Sequence, residues 1–264
     1  LQCVRNAFAG NHARLRIGSG RDGIGNFEAD AMTEQHIQHP PDAAVTRLVQ
    51  VRTKILKQND VAARRLRQRF HDQQVFVVSL VSSPGSGKTM FLERTLTTMR
   101  QRGVRVVALV GDLATENDAA RLARAEVPVR QITTGTVCHL EADMVEKAIE
   151  GWQLDELDYL FIENVGNLVC PATYDLGEHL RLVLFSTTEG EDKPLKYPTI
   201  FNTADIAVIT KMDLAEVVEF DAAAAHQNIQ AVRPGMQVLQ VSAKSGTQMD
   251  SWLGCLEARR TKSD

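Results

Sequence analysis

Val75-Phe76-Val77-Val78-Ser79-Leu80-Val81 runs directly into Ser82-Ser83-Pro84-Gly85-Ser86-Gly87-Lys88-Thr89. An apolar strand that enters a glycine-rich turn and then a helix has the geometry of a phosphate-binding loop. Gly85 and Gly87 let the backbone amides of Ser83, Ser86 and their neighbours close around a polyphosphate, with Pro84 shaping the turn. Lys88, expected in a solvent-facing loop, can reach the outer phosphates. The Thr89 hydroxyl is placed for Mg²⁺, and the helix that follows aims its N-terminus at the anion. The usual pattern has Gly where this chain has Ser82. The alternative, a chance Gly/Ser turn, does not account for the strand before it, so the expected ligand is a nucleoside triphosphate.

The remaining composition is that of a globular protein. At 264 residues the chain can bury one substantial core, and its 44% hydrophobic and 24% charged residues are ordinary. A net charge of −3 gives no reason to expect a nucleic acid or a lipid surface as partner. No apolar run approaches the length of a bilayer span. Cys3, Cys138, Cys170 and Cys255 are too scattered for a disulfide framework, so a reducing cytoplasm is the expected location.

Along the chain, residues 1–31 carry glycines and no periodic apolar pattern. They read as a disordered leader, foreign to a native chain that would start at Met32. Residues 32–72 form an N-terminal extension in which Val45, Leu48, Ile55, Ala62 and Leu66 recur at helical spacing. Eight Lys/Arg between Arg47 and Arg69 face one acid, Asp60. A solvated helix face accounts for them better than a nucleic-acid patch. From residue 73 to 264, strands alternate with helices. Strands are expected at Val75–Val81, Val104–Val110, Val127–Ile132, Tyr159–Ile162, Leu180–Ser186, Ile206–Ile209 and Gln237–Val241. Helices are expected at Met90–Arg102, Ala119–Ala125, His139–Gly151, Ala222–Val232 and Gln248–Glu257. That alternation predicts a mostly parallel sheet covered by helices on both faces, with ligands at the carboxyl ends of its strands.

Two acids follow strands directly, Asp112 and Glu163. Their carboxylates suit Mg²⁺ beside Thr89, and with Lys88 they are the expected catalytic groups. Gly166, closing Glu163-Asn164-Val165-Gly166, is placed to sense a γ-phosphate. The next residue, Asn167, stands where a glutamine orients water in Ras-type enzymes, so intrinsic hydrolysis is expected to be slow. Thr210-Lys211-Met212-Asp213 resembles the Asn-Lys-x-Asp guanine signature. Asp213 can accept from guanine N1 and the exocyclic amine, and the Lys211 stem can lie along the base. Thr210 in place of Asn weakens a brace of the loop. Ser242-Ala243-Lys244 matches the signature in which a backbone amide meets guanine O6. In this order and strand context the set favours guanine over adenine.

Cys138-His139 starts an expected helix, and Cys170 lies seven residues past Glu163. Thiolate and imidazole suit Ni²⁺ or Zn²⁺. Buried cysteines are also common as plain core residues. Adjacent helical positions do not share a face, so Cys138 and His139 need an irregular helix start to converge. Three ligands leave a four-coordinate site one short, which Asp143 or a twofold dimer could supply.

These residues resemble a family. Ser82–Thr89, Gly-Asp-x-x-Thr-x-x-Asp-Ala at 111–119 and Thr-Gly-x-x-Cys-His-Leu at 134–140 look like the hydrogenase nickel-incorporation GTPases of the HypB type. So do Glu-Asn-Val-Gly-Asn-Leu-Val-Cys-Pro-Ala at 163–172 and Glu-Gly-Glu-Asp-Lys-Pro-Leu-Lys-Tyr-Pro at 189–198. The resemblance covers roughly residues 45–258. It implies a SIMIBI-type P-loop NTPase fold and a GTPase that delivers nickel to the [NiFe]-hydrogenase large subunit precursor. It further implies a homodimer when GTP is bound and a companion HypA-type metallochaperone. Cys138, His139 and Cys170 fall on the family's metal site for Ni²⁺ or Zn²⁺. Many members carry an N-terminal cysteine cluster or histidine tract; this chain has only Cys3 near its start, and His36 and His39 form no tract, so tight or bulk nickel storage is not expected. Two other readings compete: a urease accessory-type nickel GTPase, whose metal motif is Cys-Pro-His, and a P-loop enzyme such as a kinase whose cysteines are structural.

Overall fold

A computed structural model of the chain describes residues 43–112 and 121–261. The expectations for residues 1–31, and for the part of the extension before Ala43, lie outside the described residues. So does the stretch 113–120, with the start of the helix expected at Ala119–Ala125; its described end, Ala123–Ala125, is a short 3-10 turn.

Seven strands form one sheet in the order β3-β2-β4-β1-β5-β6-β7, and every neighbouring pair is parallel. They are β1 (Phe76–Ser82), β2 (Val106–Asp112), β3 (Val129–Thr133), β4 (Tyr159–Gly166), β5 (Leu180–Ser186), β6 (Ile206–Thr210) and β7 (Gln237–Gln240). The central strands β1, β4, β5 and β6 are buried along almost their whole length and read as continuous apolar runs, whereas the edge strands β3 (VRQIT) and β7 (QVLQ) are only partly buried and mix polar with apolar residues. β4 departs from expectation. It does not stop at Ile162 but runs on to Gly166, so Glu163 and Asn164 lie inside the strand.

Along β1 the side chains alternate between two cores. Phe76, Val78 and Leu80 pack with α2 (Lys88–Gln101) and the C-terminal helix Met249–Arg260. Val75 and Val77 pack on the opposite face with the N-terminal helix α1 (Ala43–Asp72) and with α3 (Ala142–Ala148). From Ala62 to Phe70, α1 is therefore part of the core, not an appendage to it. A third cluster joins Val183, Phe185, Ile209 and Ile229.

The helix expected at His139–Gly151 is confined to Ala142–Ala148. Its N-cap residue Glu141 is extended, and Cys138 and His139 lie in the loop before it. Leu140 N in that loop donates to Asn164 Oδ1 at 3.1 Å. Two short helices not expected from the pattern, α4 (Lys193–Lys196) and α5 (Pro198–Thr203), each carry a proline in the first turn. Among the described residues, α6 (Ala222–Val232) and α7 (Met249–Arg260) follow.

β1 has β4 on one side and β5 on the other, while the chain leaves it for β2. The strand order reverses there, and the crevice at the carboxyl ends of β1, β4, β5 and β6 is where such sheets hold ligands.

Candidate nucleotide and metal site

The loop between β1 and α2 opens that crevice. Gly85 and Gly87 have φ of 75° and 88°, a conformation that side chains disfavour and that turns the loop amides inward. A cavity of about 600 Å³ lies over it, lined by the loop, by Arg121 and Gly166, and by Lys211, Asp213, Ala243 and Lys244. Its size suits a small-molecule ligand.

Lys88 is not exposed to solvent as the sequence led us to expect. Its ammonium is 2.9 Å from Glu163 Oε1, and the two side chains are only 8% and 1% exposed. Thr89 Oγ1 donates to the same carboxylate oxygen at 2.7 Å. α2 begins at Lys88, so its first turn points Lys88 and Thr89 at the adjacent strand β4. The other oxygen, Glu163 Oε2, is buried and has no hydrogen-bond partner among the described residues. A buried acceptor of this kind, beside a hydroxyl, fits a hydrated divalent cation. Asp112 closes β2 opposite Thr133; its side chain is outside the described residues.

Side-chain contacts from both sides hold the loop in place. Ser83 Oγ donates to Glu189 Oε1, and Glu189 also receives Ser186 N at 2.7 Å and Lys193 Nζ at 3.0 Å. Burial opposes ionisation of Glu189, but these donors hold its carboxyl below the ordinary value. No local signal reveals this contact, since 106 residues separate its partners. On the other side the Thr210 hydroxyl donates to Ser86 O. The brace that an asparagine usually supplies is thus present here as a hydroxyl. Lys211 Nζ crosses the loop to Gly85 O at 2.7 Å. Asp213 Oδ1 accepts from Ser242 Oγ at 2.6 Å, which fixes the carboxylate at the far end of the cavity.

Gly166 packs so closely on the loop that a Cβ there would lie 3.2 Å from Pro84 Cα. Asn167 next to it is not poised over the crevice. Its Oδ1 accepts from Val169 N at 2.8 Å and Cys170 N at 3.4 Å, so the carboxamide shapes the turn into Cys170.

That turn completes a second cluster. One ligand atom each from Cys138, His139 and Cys170 lies within 4.8 Å of the others. Because Cys138 and His139 are in a loop, the helical objection to their convergence disappears. The two ring nitrogens of His139 are buried and have no hydrogen-bond partner among the described residues; Nε2 lies 3.4 Å from Glu141 Oε1 without hydrogen-bond alignment. Burial lowers the His139 pKa, against the Glu141 carboxylate, which favours the neutral imidazole that ligates metals. The Tyr174 ring covers it at 3.8 Å. The Cys170 pKa is raised, first by its hydrogen bond with Cys138 and then by burial. A soft divalent cation between the sulfurs would reverse that preference and stabilise thiolate. Asp143 is not part of the cluster: its carboxylate is 67% exposed and lies 3.7 Å from Arg65 on α1. Asn59 of α1 ties the two arms of the cluster together, accepting from Ala142 N at 2.9 Å and donating to Asp175 O at 2.8 Å.

The fold and the loop define a P-loop nucleotide-binding protein. A family model described as "CobW/HypB/UreG, nucleotide-binding domain" matches residues 76–240. Among curated proteins, the chain is 47% identical over 225 residues to the hydrogenase maturation factor HypB of Azotobacter chroococcum, covering 84% of this chain and 72% of that one. It is 43% identical over 222 residues to HypB of Escherichia coli K12, covering 84% and 76%. Among solved structures it is similar to HypB from Helicobacter pylori in complex with nickel, with a TM-score of 0.73 and 38% identity over 78% of this chain and 96% of that one. The chain belongs to the CobW/HypB/UreG family, and these relatives are HypB hydrogenase maturation factors.

Proposed function

We propose that the chain is a GTP-hydrolysing metallochaperone that helps insert nickel into the [NiFe]-hydrogenase large subunit. The observation that carries this reading is the single segment 163–170. It begins with the carboxylate holding Lys88 and Thr89 and ends with the thiol of a Cys-His-Cys cluster. In this reading Lys88 leaves Glu163 for the outer phosphates, while Thr89, Glu163 and Asp112 hold Mg²⁺ directly or through water. Ser83, Pro84, Gly85, Ser86 and Gly87 cradle the phosphates, and Gly166 responds to the γ-phosphate. Lys211, Asp213, Ser242, Ala243 and Lys244 read guanine. Ni²⁺ or Zn²⁺ is held by Cys138, His139 and Cys170 as cargo. Mg²⁺ supplies Lewis-acid charge neutralisation when bound.

A GTP-bound homodimer fits the three-ligand cluster, which a second copy would complete, and the apolar Val169 beside it, which is 64% exposed. The companion metallochaperone of HypA type, the hydrogenase precursor and the cytoplasm belong to the same reading. Among the described residues no helix is long and apolar enough to cross a membrane. A urease-type role is not favoured by a Cys-His pair followed by Leu140. Structural cysteines alone would not explain a buried histidine whose ring nitrogens make no aligned hydrogen bond among the described residues.

The test is replacement. In a cell lacking its own hydrogenase maturation factor, this chain should restore hydrogenase activity, and a Cys138→Ala/Cys170→Ala variant should not. Equal restoration by both would overturn the nickel role. Light scattering should show a dimer with a non-hydrolysable GTP analogue and a monomer with GDP.

A further inference from the structure

Segment 163–170 meets the phosphate loop at two points, through Glu163 on Lys88 and Thr89 and through Gly166 on Pro84. Between and beyond these points stand two asparagines, and each reaches one arm of the Cys-His-Cys cluster. Asn164 is adjacent to Glu163 in β4 and therefore faces away from it. Its side chain is buried, and Oδ1 accepts from Leu140 N at 3.1 Å and from Val165 N at 2.9 Å. Leu140 follows Cys138-His139 directly, and its own side chain fills the space over Gly111, where a Cβ would approach to 2.8 Å. The Cys138-His139 arm is thus pinned by one carboxamide oxygen and one packing notch. The second asparagine, Asn167, follows Gly166 and accepts from Val169 N and Cys170 N. It holds the Cys170 arm.

We infer that Asn164 and Asn167 are positioning residues that carry nucleotide state from the phosphate loop to the two arms of the metal cluster. This rests on the nickel GTPase reading above. Neutral carboxamides are well suited to that role, because they bind backbone amides firmly, add no charge beside the thiolates, and do not compete for a soft cation. When Glu163 releases Lys88 and Gly166 moves with the loop, β4 shifts. Asn164 then draws on Leu140 while Asn167 turns Cys170. The spacing of the sulfurs and the imidazole follows.

The experiment is Ni²⁺ titration of the full chain against a chromophoric chelator, once with GDP and once with a non-hydrolysable GTP analogue. The wild type is measured first, then Asn164→Ala, Asn167→Ala and Asn164→Asp. The wild-type affinity ratio between nucleotide states is expected to be roughly 5–150-fold. Both alanine variants should bring it to about twofold or less, while affinity for the GTP analogue without metal stays near native. Asn164→Asp keeps an acceptor for Leu140 N and should recover much of the ratio. Alanine variants that keep the wild-type ratio would overturn the relay and leave the asparagines as turn-forming residues only. A wild-type ratio of one would overturn the coupling itself, a result read before any variant is made. If Asn164→Ala does not fold, the half-buried Asn167→Ala decides the matter.

Discussion

Lys88 and Glu163 form a buried ion pair at 2.9 Å, one residue from the start of α2 and the other from inside β4. In the proposed function Lys88 leaves this pair to reach the outer phosphates. Lys88→Ala should slow GTP hydrolysis on the order of 100-fold or more through loss of a transition-state cation. It should also destabilise the nucleotide-free fold, because breaking a buried pair from one side costs about 3 kcal/mol. The double variant Lys88→Ala/Glu163→Ala should regain most of that stability but none of the activity. Urea unfolding beside phosphate-release assays separates the two effects; a Lys88→Ala variant with near-native turnover would sink the assignment.

Asp213→Asn should weaken GTP binding by about 2 kcal/mol, roughly 30-fold, as a charge-assisted bond becomes a mismatched amide. Xanthine should gain, since the new amide can donate to its O2. Competition binding with GTP, XTP and ATP checks this, and unchanged selectivity would place the base-reading loop elsewhere.

Thr210 offers a test of the loop brace. Thr210→Val removes the donor to Ser86 O and Phe185 O while keeping the shape of the side chain. We expect a loss of about 1 kcal/mol in nucleotide affinity, roughly fivefold. Thr210→Ser should retain native affinity, and Thr210→Val doing the same would show that the brace contributes nothing.

Much of this architecture is legible in the sequence, for definite reasons. The central strands β1, β4, β5 and β6 are apolar runs because both faces of the sheet are covered there, while the edge strands β3 and β7 show only through their place in the strand–helix alternation. The phosphate loop announces itself by its glycines. What stayed hidden depends on partners far apart in the chain. Glu163 takes Lys88 from 75 residues away, Ser83 finds Glu189 across 106, and Asn164 claims Leu140 across 24. A helix expected from His139 begins only at Ala142 because Glu141 is extended, a break that local periodicity does not register. α4 and α5 were missed because Pro194 and Pro198 interrupt the pattern, although proline is tolerated in a first helical turn.

At the opposite end of the sheet, Arg105 hydrogen-bonds Asp158, and with Arg260 it holds that carboxyl down at about 2. A depressed carboxylate contributes stability that is complete above its unfolded value, near 4, and is lost as pH falls from there through about 2. The pair is partly solvated, so a contribution on the order of 1 kcal/mol is expected. Asp158→Asn should therefore be less stable than wild type at pH 7, and the gap should close near pH 2. A gap that persists unchanged into acid would mean the side chain acts through packing alone.

The most direct test joins the two sites in the unaltered protein. Ni²⁺ affinity is measured with GDP and with a non-hydrolysable GTP analogue, and the affinity for each nucleotide is measured with and without Ni²⁺. Linkage requires the same factor in both directions, and a coupling of about 1–3 kcal/mol makes it roughly 5–150-fold. The account predicts that factor. Identical Ni²⁺ affinity with either nucleotide would contradict it.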